Sequence, residues 1–202
     1  MTKNRCGQGL LALLASLVLV AACGGGQPTE PAGTHGGHGG PPSPTATGPR
    51  AGSASLGTQL TSMNQVIDWV KQKTGACADA KTVSKSELPG YLGELRAKRY
   101  EPFIAEWATC AVPEHAKIGL VLFTPDKIKE LQQFWLRGLG EGALTENPDF
   151  GFGNGFAVTS AEFGTEKLGL RHLWCKPVKG VQADTFPADA EGCVFAALPG
   201  HH

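Results

Sequence analysis

Residues 24 to 57 hold eleven glycines and six prolines, with one acid (Glu30), one base (Arg50) and a single large aliphatic residue, Leu56. A segment this poor in apolar surface cannot offset the entropy of ordering its backbone, so it is expected to stay unfolded. It divides the chain in three. Residues 1–22 lie before it, residues 23–57 form a tether that starts at Cys23, and residues 58–202 are left to build one folded domain. That remainder is the usual size of a domain with a single core, and it contains no internal repeat and no second linker. A flexible coil of about 34 residues reaches roughly 30 Å.

The first segment opens with Lys3 and Arg5 and then runs apolar from Leu10 to Ala22, broken only by Ser16. Basic residues, a short greasy stretch and small residues at its end are the marks of an export signal. A spanning helix needs about 20 apolar residues, and this run is too short. The run ends at Val20-Ala21-Ala22-Cys23 and is followed by three glycines. This resembles the lipobox of bacterial lipoproteins. The resemblance covers residues 1–23 only and implies that the chain is cut before Cys23, whose thiol carries a diacylglyceryl group. Two acyl chains hold stably at a membrane where one gives marginal binding.

That resemblance implies attachment to the outer face of the bacterial cytoplasmic membrane. Gly24 does not forbid onward sorting where a second membrane exists. The composition of the whole chain, rich in Gly, Ala, Pro and Leu, is similar to that of exported lipoproteins of high-GC bacteria. Loss of Lys3 and Arg5, with no acid, takes the chain from a formal net charge of zero to −2. No basic footprint for nucleic acid remains, nor a polybasic membrane patch.

An exported domain sits where disulfides persist. Four cysteines fall in it: Cys77, Cys110, Cys175 and Cys193. Three pairings are open; Cys77–Cys110 and Cys175–Cys193 are the favoured ones. Zinc sites use close-spaced pairs such as C-x2-C and redox sites use C-x-x-C, and neither spacing occurs here.

Two segments carry strong helix signals. "SMNQVIDWVKQKTGAC" has Ser62 and Gln65 at capping-box spacing, an apolar stripe of Met63, Val66, Ile67 and Val70, and Gly75 placed to end it. "TPDKIKELQQFWLRGLGEG" has Thr124 to cap, Pro125 for the first helical position, Asp126 at the positive end of the dipole, and Gly138 and Gly140 as stops. Lys117–Phe123 reads as a strand buried on both faces. Strands are also expected within Pro102–Val112, "GFAVTSAEF" and Gly192–Leu198, and a short helix near Leu92–Lys98; "LGLRHLWCK" is open to strand or short helix, the strand placing Leu170, His172 and Trp174 on one face. The sum is an α+β domain: an antiparallel or mixed sheet with helices packed on one face and two disulfides.

Candidate chemistry is sparse. "DFGFGNGF" (Asp149–Phe156) has nucleotide-loop composition, but its glycines precede a strand instead of opening a helix. It reads as a glycine turn whose Phe150, Phe152 and Phe156 pack in the core or line a ligand cleft. "KTG" at Lys73–Gly75 has no S-x-x-K partner, and no G-x-S-x-G exists. An envelope hydrolase would use a histidine or a carboxylate, with His115 or His172 meeting Ser160 or an acid within hydrogen-bond distance. His35 and His38 in "GTHGGHGG", with His201-His202 at the end, are polar filler first; a metal would have to order their chain to bind. The reading that follows is a lipid-anchored, non-catalytic module for an envelope ligand or protein, with no catalytic residue and no cofactor assigned. An envelope hydrolase and a metal-handling lipoprotein are the alternatives.

Overall fold

A computed structural model describes residues 52–198. Cys23, His35, His38, His201 and His202 lie outside the described residues. Helix α1 (Met63–Thr74) begins with the capping box its sequence predicts. The Ser62 hydroxyl accepts from the Gln65 amide at 3.3 Å, and Gln65 Oε1 accepts from the Ser62 amide at 3.2 Å. Gly75 ends the helix in the left-handed region, donating to the Lys71 carbonyl.

The larger sheet contains β1 (Ala78–Thr82), β2 (Glu106–Val112), β3 (His115–Leu122), β4 (Gly151–Gly153) and β5 (Phe156–Val158), in the order β1-β2-β3-β5-β4. The smaller sheet contains β6 (His172–Trp174), β7 (Asp184–Pro187) and β8 (Val194–Ala197), in the order β6-β8-β7. Every pairing is antiparallel. A bridge between Phe152 and Arg171 joins the sheets, each residue's N–H donating to the other's carbonyl at 2.8 and 3.0 Å. The fold is α+β, and it holds the disulfides Cys77–Cys110 and Cys175–Cys193.

Helices cover both faces of the larger sheet, not one. Ala108, Leu120, Leu122 and Val158 face α1 and α5 (Ala161–Glu166), whose Val66, Val70 and Phe163 bury against them. The alternate residues Trp107, Val121 and Ala157 share a second core with α2 (Leu88–Leu92), α3 (Glu94–Tyr100) and α4 (Pro125–Gly140). The cause is the unbroken apolar run of β3, from Ile118 to Leu122, which leaves no polar face for water.

Several boundaries differ from the sequence expectation. "GFAVTSAEF" is strand only through Val158, because the Ser160 hydroxyl caps α5 by accepting from the Phe163 amide at 3.3 Å. The helix expected near Leu92–Lys98 is divided into α2 and α3 at Gly93, whose φ is 82°. Gly138 does not stop α4. It is buried inside the helix, and the absence of a side chain leaves room for Leu144 to fold back upon it.

The fold also takes up the last residues assigned to the tether. Gly52–Leu56 form a 3-10 turn with Ser53 buried. The Ser53 amide donates to Asp189 Oδ1 at 2.9 Å, its hydroxyl donates to Asp189 Oδ2, and Gln132 Nε2 donates to the same Oδ2 at 2.9 Å. Gln132 Oε1 accepts from the Ala190 amide at 2.7 Å. Further along, Asn154 Nδ2 donates to the Gly57 carbonyl at 2.7 Å and the Leu60 amide to the Asn154 carbonyl at 3.0 Å. Composition marks residues 52–57 as linker, yet distant partners supply the hydrogen bonds that order them.

Candidate ligand-binding cleft

The strap running from Ser55 to Leu60 crosses the corner where the two sheets meet. Beneath it lies a cleft of about 530 Å³. Trp69 and Lys73 of α1 form one wall, and Phe152, Gly153 and Phe156 of the β4–β5 hairpin form another. Leu168 to Arg171 and Phe186 of β7 complete it. Trp69 meets Phe156 edge to face at 5.0 Å, and Lys73 Nζ lies 5.8 Å from the centre of the Trp69 ring. Apolar and aromatic side chains with placed polar groups line most small-molecule pockets; here Ser55, Thr58, Lys73, Arg171 and glycine backbone make the lining one of mixed polarity.

The walls are held by backbone, not by loose side chains. Arg171 is pinned through its bridge to Phe152, and Arg171 Nη1 donates to the Gly169 carbonyl at 3.0 Å. Gly155, in the hairpin turn, has φ 85°, and a Cβ there would lie 2.6 Å from the Leu60 carbonyl oxygen. Gly155→Ala is therefore expected to cost about 1–3 kcal/mol through backbone strain and displacement of the strap. Denaturant midpoints measure the cost, and faster exchange of the Leu60 amide measures the displacement.

Both charges in the lining, Lys73 and Arg171, are positive, and among the described residues no carboxylate lines the cleft. Neither side chain forms a salt bridge among the described residues. The aromatic trio expected from "DFGFGNGF" divides. All three are buried; Phe152 and Phe156 back the cleft wall from within the core, whereas Phe150 stacks on Tyr100 at 3.8 Å away from it.

A polar cluster lies on the other side of that stack. The Tyr100 hydroxyl donates to Asp149 Oδ1 at 2.7 Å, and Arg96 Nη2 reaches Asp149 Oδ2 at 2.8 Å and the Thr159 carbonyl at 3.2 Å. Burial, followed by the Asp149 carboxylate, raises the Tyr100 hydroxyl well above its ordinary value. A phenol held this firmly in its protonated form is a structural donor, not a base. Within "SKSELPGYLGELRAKRYE" (84–101), Glu87, Glu94 and Lys98 face solvent, while Leu88, Leu92, Ala97 and Tyr100 turn inward.

The hydrolase residues do not converge. Ser160 is occupied as the cap of α5, the His115 ring packs edge-on against Phe163 at 4.7 Å, and His172 lies beside Trp174 on β6. Among the described residues no histidine hydrogen-bonds to a serine or a carboxylate, and no group of three or more His, Cys, Asp or Glu side chains could hold a metal ion. No helix of the described residues is long and apolar enough to cross a membrane.

His172 has a different consequence. Its Nε2 is buried without a hydrogen-bond partner, and burial lowers its pKa from 6.5. The unfolded chain therefore binds a proton there before the folded chain does. Stability from this group is present above pH 6.5 and is lost as the pH falls toward the folded value. Unfolding free energy measured between pH 7 and 5 is expected to fall with acidification, with a shallower slope in His172→Phe.

No family model matches the chain, and comparison with curated proteins and with solved structures returns no match. The cleft residues Trp69, Lys73 and Arg171 were not singled out as ligand groups by sequence reasoning. Trp69 and Lys73 are three and seven residues beyond Val66 on α1, which places them along the edge of its buried stripe. Nothing local marks Arg171.

Proposed function

We propose that this protein is a lipid-anchored extracytoplasmic lipoprotein whose domain is a non-catalytic ligand-binding module of the bacterial cell envelope. The observation that carries the anchor is the order Lys3, Arg5, apolar run, Val20-Ala21-Ala22-Cys23. In bacterial lipoproteins that order precedes lipidation of the cysteine. Two disulfides in the domain agree with an oxidising compartment. The long Gly/Pro stretch after Cys23 agrees with a module held off the headgroups, at the outer face of the cytoplasmic membrane. The binding role draws its support from the aromatic cleft, and the separation of Ser160, His115 and His172 favours binding over hydrolysis.

Mass spectrometry of the native protein tests the anchor. The expected amino-terminal peptide begins at Cys23 and carries the mass of a diacylglyceryl group. An unmodified terminus beginning elsewhere overturns it.

A further inference from the structure

We propose that the cleft under the strap binds a single anionic amphiphile, an apolar chain or ring system ending in one oxyanion headgroup. This deepens the ligand-binding reading and rests on it. The apolar body has its surface in the half-buried Leu56, Leu60, Trp69 and Phe186, with Phe156 and Leu168 buried behind them, and the volume of about 530 Å³ lies in the size range of small-molecule pockets.

The headgroup is argued from charge. Lys73 and Arg171 supply two cations with no acid between them in the lining. Arg171 uses Nη1 on the carbonyls of Gly169 and Leu170, and among the described residues Nη2 has no protein acceptor. A guanidinium and an ammonium beside an apolar wall match an oxyanion at the end of a greasy body. The preference belongs to the cleft and not to the chain, because removal of residues 1–22 leaves a slightly negative whole.

The geometry points to one enclosed molecule and not to a bilayer face. A surface that inserts into headgroups must project its apolar side chains. Among the described residues, the large hydrophobics that project, Leu95, Val178, Val181 and Leu198, all lie outside the cleft, whose apolar atoms line a concavity. Two other large grooves show no such single sign of charge: one of about 610 Å³ between α3 and α4 mixes Lys98, Arg99 and Arg137 with Glu141, and one of about 560 Å³ beside α3 mixes Lys98 with Glu94 and Glu101.

The test uses the full chain bearing Cys23→Ser, titrated calorimetrically with dodecyl phosphate below its micellar concentration. Dodecanol and inorganic phosphate are titrated in parallel. Saturable one-to-one binding of dodecyl phosphate is expected, with dodecanol weaker by about tenfold and inorganic phosphate weaker still. Lys73→Gln and Arg171→Gln are each expected to weaken dodecyl phosphate by about three- to tenfold while leaving dodecanol unchanged. Both substitutions lie at side chains that reach the surface, and an unchanged thermal midpoint verifies that the variants fold. Equal affinity for dodecanol, inorganic phosphate binding as tightly as the amphiphile, or indifference to both Lys73→Gln and Arg171→Gln overturns the proposal. So does binding that requires phosphatidylglycerol vesicles and is absent with the monomer. Each of these results leaves the anchor to be judged separately by the mass of the amino terminus.

Discussion

Replacing Cys175 and Cys193 together by alanine is expected to lower the unfolding free energy by about 3 kcal/mol, and the same change at Cys77 and Cys110 by about 3–4 kcal/mol. The chain-entropy argument gives the larger figure to the longer loop, since the sequence separations are 18 and 33. Against a typical domain stability of about 5–15 kcal/mol, either loss is large. Urea midpoints at constant m-value provide the measurement. The two variants should also differ in character. The segment closed by Cys175–Cys193 is exposed from Lys176 to Gln182, and β7 within it is exposed at three of its four positions. Little apolar burial holds that segment in place, so its amides should lose exchange protection before global unfolding when the bond is removed. The Cys77–Cys110 bond joins the end of α1 to the buried strand β2, and its removal should leave β7 protection as it is. Equal loss of β7 protection in both variants would show that the 175–193 segment has no local stability of its own.

Asp189→Ala is expected to cost about 2–4 kcal/mol and to release the strap. Its carboxylate accepts from the Ser53 amide and hydroxyl and from Gln132 Nε2, and Gln132 is fully buried. Truncation strands that amide in the core, where an unmet donor costs about 1–3 kcal/mol, and also deletes both Ser53 bonds. Ser53→Ala removes one hydroxyl bond and leaves the Gln132 partner in place, so about 1 kcal/mol is expected. Thermal or denaturant unfolding ranks the two. Limited proteolysis reports the strap: cleavage near residues 52–57 should accelerate in Asp189→Ala well below the unfolding midpoint. Because Ser55 to Leu60 form one side of the cleft, the same variant should weaken any amphiphile held there. An intact strap in Asp189→Ala would mean that the hydrogen bonds of Gly57 and Leu60 to Asn154 suffice to hold it.

The elements legible in advance are those whose signals are local. The Ser62–Gln65 box, Gly75, Thr124-Pro125 and the apolar run of β3 each act through neighbours within a few residues, and each forms where the pattern places it. Thr124 is an instructive exception in detail. It occupies the cap position with extended backbone, but its side chain makes no capping bond. Gly138 was legible as a helix breaker only in isolation, since its actual use is to admit Leu144. The cleft was half legible: Phe152 and Phe156 stood out as aromatics beside a glycine turn. Their cationic neighbours did not, because Lys73 and Arg171 are nearly a hundred residues apart.

By itself the sequence determined the class of the folded domain, the presence of two disulfides and the starts of its main helices, because these follow from composition, an even cysteine count and short-range hydrogen bonding; which cysteines pair was left open among three arrangements and was decided by the structure. Only the tertiary structure decided that helices cover both faces of the larger sheet, that residues 52–57 belong to the fold, and that two cations share an aromatic cleft. Those outcomes depend on partners far apart in the chain, such as Ser53 with Asp189 and Phe152 with Arg171. A one-dimensional pattern carries no record of such meetings until packing brings them about.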